Sequence, residues 1–207
     1  MTQQHKEPIT RNSLGVFQRF LEAMADAISK TGLHPNAITV LSLVPAIFAG
    51  WAAAEGLFVL AAVLFLASGF LDLLDGAMAR QSGRETRFGA LLDSTCDRLA
   101  DAAIPTGLVV YYAPHNGVVV IPVLAIVSGF IISYVRARAE GLNMELPRLW
   151  MRRQDRLGLM VLALLLAPVP LTGMNVPAPV TLIIVAILTV LGFAAAVTAL
   201  MHAAKSD

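Results

Sequence analysis

Charge is scarce in this chain. Only 14% of its 207 residues are Asp, Glu, Lys or Arg, against roughly 25% in soluble domains, which excludes an ordinary water-soluble enzyme. The hydrophobic share of 57% and a mean hydropathy of +0.72 exclude a disordered chain as well. Neither sign of charge dominates. Fifteen Lys and Arg face 14 Asp and Glu, a formal net charge of +1 with a pI near 8.0, so there is no nucleic-acid footprint and no nucleic-acid partner is expected. Cysteine is nearly absent: the single Cys96 rules out a disulfide framework and a thiolate metal cluster.

What is abundant is apolar sequence in long runs. Six segments, near 37–54, 57–79, 89–112, 117–139, 157–173 and 178–203, approach or exceed the roughly 20 residues a helix needs to cross a bilayer. Turn chemistry separates them: Glu55-Gly56, Pro114 to Gly117, and Ala167 to Pro179 with four prolines. There is no repeat of fixed period and no shift of composition that would mark a second domain. The spacing therefore predicts an all-α polytopic membrane protein in which 37–207 form one six-helix membrane domain.

Residues 1–36 precede it as a cytoplasmic segment. Lys6, Glu7 and Arg11 interrupt the start, so it does not read as a cleaved signal peptide. From 14 to 30, Val16, Phe17, Phe20, Leu21, Met24 and Ile28 recur at spacings of three and four, opposed by Arg19, Glu22, Asp26 and Lys30. This predicts an amphipathic helix, either packed on other protein or lying in the headgroup plane, and the membrane context favours the interfacial placement. The basic residues set the orientation. Lys6, Arg11, Arg19 and Lys30 precede the first span, Arg80, Arg84, Arg87 and Arg98 surround the second junction, Arg136, Arg138, Arg148, Arg152, Arg153 and Arg156 surround the fourth, and Lys205 ends the chain. The other three junctions hold none, so the positive-inside rule places both termini in the cytoplasm.

Carboxylates at membrane depth are costly and mark function. Asp72 and Asp75 lie three apart at the end of the second segment, and Asp93, Asp97 and Asp101 lie four apart at the start of the third. Each set shares a helix face, and one loop of Gly76, Gly83 and Gly89 brings the faces together. Four acids in one pocket repel unless cations neutralise them. Oxygen donors alone favour a hard divalent ion over zinc, and two such ions can clamp a phosphoryl transfer. Gly76 lets a ligand approach the backbone closely. The competing reading is a structural network of these acids with Arg80, Arg84, Arg87 and Arg98, which four acids at paired helical spacing make the weaker one.

Residues 72 to 97 read Asp-x2-Asp-Gly-x2-Ala-Arg-x8-Gly-x3-Asp-x3-Asp. This resembles the signature of the CDP-alcohol phosphotransferases at every position, and the length and helix count are similar along nearly the whole chain. The resemblance implies transfer of a phosphatidyl group from CDP-diacylglycerol to the hydroxyl of a small alcohol, with release of CMP. It implies that Asp72, Asp75, Asp93 and Asp97 hold two ions, Mg2+ or Mn2+, with Asp97 also the catalytic base. It implies further that Gly76, Arg80 and Thr86, with the segment Asn36, Ala37, Ile38 and Thr39, contact the CDP-diacylglycerol. Asn36 reads equally as a helix cap after a proline, Thr86 as a loop hydroxyl, and Asp101, outside the signature, as a partner for an Arg.

The basic cluster at the fourth junction bears on the acceptor, since Arg forks pair well with phosphate. Headgroup binding by Arg at helix ends is the plainer alternative. Within the family, TRFGALLDSTCDRLAD, ISYVRARAE and the Arg153 to Arg156 pair look like the phosphatidylinositol phosphate synthase branch. That implies inositol 1-phosphate as acceptor, with Ser133, Arg136, Arg153 and Arg156 at its phosphate, and a homodimer in the plasma (inner) membrane. Arg136 stands where Lys is common in that branch, and the last helix offers His202 but no Arg. Glycerol 3-phosphate is the rival acceptor. A membrane transporter, the reading from another class, would place its acids near the midplane, whereas every acid here but Glu55 maps to the cytoplasmic half.

Overall fold

A computed structural model describes residues 9–115, 117–144, 146 and 152–206. Among them the chain is all-helical, with seven helices and no strand: α1 Ile9–Ser29, α2 Pro35–Ala54, α3 Phe58–Ser82, α4 Arg87–Tyr112, α5 Val120–Gly141, α6 Arg153–Leu165 and α7 Pro179–Ser206. Four of them, α2, α3, α5 and α7, are long and apolar enough to cross a bilayer, which makes this a membrane protein. The 26 residues of α4 would reach across as well, but its first half carries Arg87, Asp93, Asp97, Arg98 and Asp101.

The fifth apolar segment differs from expectation. Instead of 157–173, the helix covers Arg153–Leu165, 13 residues and about 20 Å at 1.5 Å per residue. It starts early because the Asp155 carboxylate accepts the backbone N–H of Arg152 at 2.9 Å, an acid capping a helix N-terminus. It stops early because Pro168 and Pro170 follow and cannot extend the hydrogen-bond ladder. Arg148 and the side chains of Arg11 and Lys205 lie outside the described residues.

The chain divides into two compact units. The first, residues 1–42 and 69–96, holds α1, the start of α2, the end of α3 and the start of α4. Its apolar core joins Leu21 and Ala25 of α1 to Ile38 of α2 and to Leu74, Ala77 and Met78 of α3. Gln81 fastens α1 further by donating to the Glu22 carbonyl at 3.1 Å. The amphipathic helix thus packs on protein along one stripe. A second stripe, Val16, Phe17 and Phe20, stays exposed.

The second unit, residues 43–68 and 97–207, is built on small residues. Ala49, Ala52, Ala53, Ala61, Ala62, Ala195, Ala196 and Ala199 are buried among Phe65, Leu108 and Val185, the composition that lets membrane helices approach closely. At the α2/α4 crossing a Cβ on Gly107 would lie 2.0 Å from the Gly50 carbonyl oxygen, so the two backbones touch. Hydroxyls tie the remaining helices: Thr181 donates to the Ala163 carbonyl at 2.8 Å, and Tyr112 to that of Ala178 at 2.9 Å. Helix α5 lies against α7, and Gly192 leaves room there for the Ser128 side chain.

Candidate active site

The end of α3 places Asp72 and Asp75 on one face, three residues apart, and α4 repeats Asp93, Asp97 and Asp101 at four-residue spacing. One carboxylate oxygen of Asp72 and one of Asp93 lie within 4.8 Å of each other, and Asp97 follows Asp93 by one turn of α4. Asp75 is buried, has Asp72 and Asp93 as charged neighbours, and its Oδ2 has no hydrogen-bond partner among the described residues. An unpartnered buried carboxylate oxygen beside further acids is what a cation site leaves behind. The donors are all oxygen, so a hard divalent ion fits.

Around this cluster the first unit assembles two helix N-termini. The Thr86 hydroxyl caps α4 by accepting the Gly89 N–H at 2.9 Å. At the start of α2, His34 Nδ1 accepts the Asn36 N–H at 3.2 Å, and the Thr39 hydroxyl turns back to the Pro35 carbonyl at 3.2 Å. A Cβ on Gly89 would lie 3.0 Å from Thr86 Oγ1 and 3.2 Å from Asn36 Oδ1, so Asn36 and Thr86 converge on a backbone that carries no side chain. Helix N-termini with free polar groups suit anions. Arg80 is exposed, and its Nη1 would lie 3.3 Å from a Cβ on Gly76, so the guanidinium folds back over that glycine. Ala37 is exposed, whereas the Ile38 side chain is buried in the apolar core and only its backbone is left for a ligand.

In the second unit, Arg153 opens α6 with an ion pair from Nη2 to Asp97 Oδ1 at 2.8 Å. Its Nε donates to Asp101 Oδ1 at 3.3 Å, and Arg156 Nη2 donates to Asp101 Oδ2 at 3.3 Å. Asp101 therefore pairs with arginine, as its place outside the signature suggests. Ser133 lines a cleft with Arg98, Asp101 and Phe130. Arg136 lies one turn further along α5 and is exposed. Sequence reasoning missed two features: that Asp101 joins both arginines of α6, and that His34 caps α2. The four-residue step from Asp97 and the place of His34 directly before Pro35 were the available signals.

Residues 32–204 match the CDP-alcohol phosphatidyltransferase family. The chain belongs to that family. Among its relatives is the archaetidylinositol phosphate synthase of Methanothermobacter thermautotrophicus, 42% identical over 130 residues, which are 63% of this chain and 64% of that protein. The phosphatidylinositol phosphate synthase of Mycobacterium tuberculosis is 35% identical over 150 residues, 70% of this chain and 69% of that one. The crystal structure of the Mycobacterium tuberculosis phosphatidylinositol phosphate synthase with CDP-DAG bound superimposes with a TM-score of 0.80 at 29% identity, covering 89% of this chain and 94% of that one. The same enzyme in complex with manganese and citrate gives a TM-score of 0.79 at 29% identity, covering 88% of each chain.

Proposed function

We propose that this protein transfers a phosphatidyl group from CDP-diacylglycerol to the hydroxyl of inositol 1-phosphate, giving phosphatidylinositol phosphate and CMP. The observation that carries the reading is the carboxylate pair of Asp72 and Asp93, within 4.8 Å and beside the buried Asp75, in a chain whose relatives are inositol phosphate lipid synthases. In the reaction the acceptor oxygen bonds to the phosphorus that carries the diacylglycerol, the bond from that phosphorus to the CMP oxygen breaks, and the hydroxyl proton passes to a carboxylate of the enzyme.

Asp72, Asp75, Asp93 and Asp97 hold two divalent ions, Mg2+ or Mn2+, and the buried, unpartnered Oδ2 of Asp75 supports that assignment. Such ions neutralise the diphosphate and stabilise the charge that grows on the leaving phosphate. Asp97 takes the proton. Asn36 to Thr39, Gly76, Arg80 and Thr86 grip the CDP portion, supported by the convergence of Asn36 and Thr86 on Gly89. Ser133, Arg136, Arg153 and Arg156 bind the acceptor phosphate, for which the forked guanidinium is the matching donor.

The enzyme sits in the plasma (inner) membrane as a homodimer. Residues 37–207 form its membrane domain of six spans, with α4 and α6 added to the four apolar helices, and both termini are cytoplasmic. Residues 1–36 form the cytoplasmic segment, and the exposed Val16, Phe17 and Phe20 of α1 support an interfacial placement of that helix.

An acceptor panel tests the reading. Purified protein with CDP-diacylglycerol and Mg2+ is offered inositol 1-phosphate, inositol, glycerol 3-phosphate or serine, and the lipid formed is identified. Phosphatidylinositol phosphate as the main product is expected. Phosphatidylglycerophosphate would reassign the acceptor, and no CMP release with any alcohol would overturn the enzyme.

A further inference from the structure

Arg152 is the N-cap of α6, and Arg153 and Arg156 stand in its first turns, where the helix dipole disfavours positive charge. Like charges three residues apart repel as well. Asp155 offsets part of this by capping the helix. The rest is met from α4, where the carboxylate of Asp101 takes Arg153 on one oxygen and Arg156 on the other. No position of the family signature includes Asp101.

The geometry points to Asp101 as a positioning residue that sets Arg153 and Arg156 as one phosphate-binding fork. Both of its bonds are 3.3 Å, long beside the roughly 2.7–2.9 Å of a tight guanidinium–carboxylate contact. Asp101 therefore aims the two side chains by one N–H from each, and a guanidinium has five N–H donors in all. Asp101 also borders two clefts: one runs past Arg156, Ser128 and Gly129, the other past Arg98 and Ser133. A phosphate monoester entering the first cleft meets Arg156 already oriented by this carboxylate. The inference rests on the proposed reading that Arg153 and Arg156 serve a phosphorylated acceptor.

Asp101→Asn keeps the shape and one carbonyl acceptor but releases one guanidinium; Asp101→Glu keeps both bonds at longer reach. The full chain in detergent, loaded with Mn2+, is assayed for CMP release with inositol 1-phosphate and with CDP-diacylglycerol varied in turn. Binding of inorganic phosphate is measured by calorimetry on the same samples, which requires no turnover. In Asp101→Asn the KM for inositol 1-phosphate is expected to rise about ten- to a hundredfold, the range for lost hydrogen bonds to charged groups, and phosphate binding to weaken in parallel. The KM for CDP-diacylglycerol stays within about twofold, and Asp101→Glu recovers most of the acceptor affinity.

Equal losses for both substrates with a lowered melting temperature would reduce Asp101 to a tie between α4 and α6 and overturn the inference. So would phosphate affinity unchanged in Asp101→Asn, or Asp101→Glu no better than Asp101→Asn. A wild-type protein that binds phosphate more tightly than Asp101→Asn yet uses no phosphorylated acceptor would leave Asp101 as the organiser of the fork and sink the proposed function instead.

Discussion

Arg153 and Asp97 are joined by an ion pair of 2.8 Å, so the last acid of the family signature already has a guanidinium on it. The same arginine reaches Asp101 through Nε. Asp97, Arg153, Asp101 and Arg156 are thereby parts of one network of ion pairs, and displacing either end moves the other.

Asp97→Asn separates shape from chemistry at that network. The amide fills the same space but takes no proton and ligates a cation poorly. A folded protein is expected, with CMP release lowered by about 10² to 10⁴ as for loss of a positioned base. Circular dichroism and the melting temperature check the fold. Turnover equal to wild type would remove Asp97 from the chemistry.

Asp75 offers a test of the cation site that needs no substrate. Its buried Oδ2 has no partner among the described residues, and Asp72 and Asp93 are its charged neighbours. Without metal this is repulsion in a poorly solvated place, so Asp75→Asn is expected to melt at or above the temperature of the metal-free wild type. Mn2+ or Mg2+ at a hundred times its Kd stabilises the wild type by about 2.7 kcal/mol through mass action. That rise in melting temperature should vanish in Asp75→Asn. A variant that still gains the full metal shift would place the ions elsewhere.

Much of this was legible in the sequence because the informative residues obey local periods. The acids of α3 and α4 are spaced at three and four, and that spacing alone put them on common faces. Helix positions followed the apolar runs, as in α3, expected at 57–79 and found at Phe58–Ser82. The fifth segment was misjudged because its apolar residues continue past Leu165 while Pro168 and Pro170 end the helix; hydropathy counts residues and not hydrogen bonds. The amphipathic helix had room for two apolar stripes, and periodicity cannot say that Leu21 and Ala25 meet protein while Val16 and Phe17 do not. The pairing of Asp101 with Arg153 and Arg156 spans more than fifty residues of chain; the four-residue step from Asp97 puts Asp101 on the same face but does not name its partners.

Gly89→Ala tests the nucleotide grip. Alanine inside a helix is ordinarily better than glycine by about 0.5–1 kcal/mol, while disturbing the Thr86 cap on the Gly89 N–H costs about 0.5–2 kcal/mol, so stability is expected to change by no more than about 1–2 kcal/mol. The new methyl would stand 3.0 Å from Thr86 Oγ1 and 3.2 Å from Asn36 Oδ1, which forces both side chains outward. The KM for CDP-diacylglycerol is therefore expected to increase while that for the acceptor does not. A variant with unchanged nucleotide affinity would mean that Asn36 and Thr86 serve only as caps.

The α2/α4 crossing gives the opposite outcome for the same type of substitution. A Cβ on Gly107 would sit 2.0 Å from the Gly50 carbonyl oxygen and 3.0 Å from the Ala53 side chain, and the obstructing oxygen is backbone, which no rotamer can withdraw. The helices must separate, losing the close contact on which membrane packing depends. Overpacking of a tight core costs about 1–3 kcal/mol or more, so Gly107→Ala is expected to lower the melting temperature and the yield of folded protein without a selective effect on either substrate. Gly158→Ala in α6, where a new Cβ meets nothing within 4 Å, serves as the control and should be neutral or stabilising. If Gly107→Ala melted like that control, the two backbones would not be in contact, and the alanine-lined core of the second unit would not be what holds α4 and its acids in register.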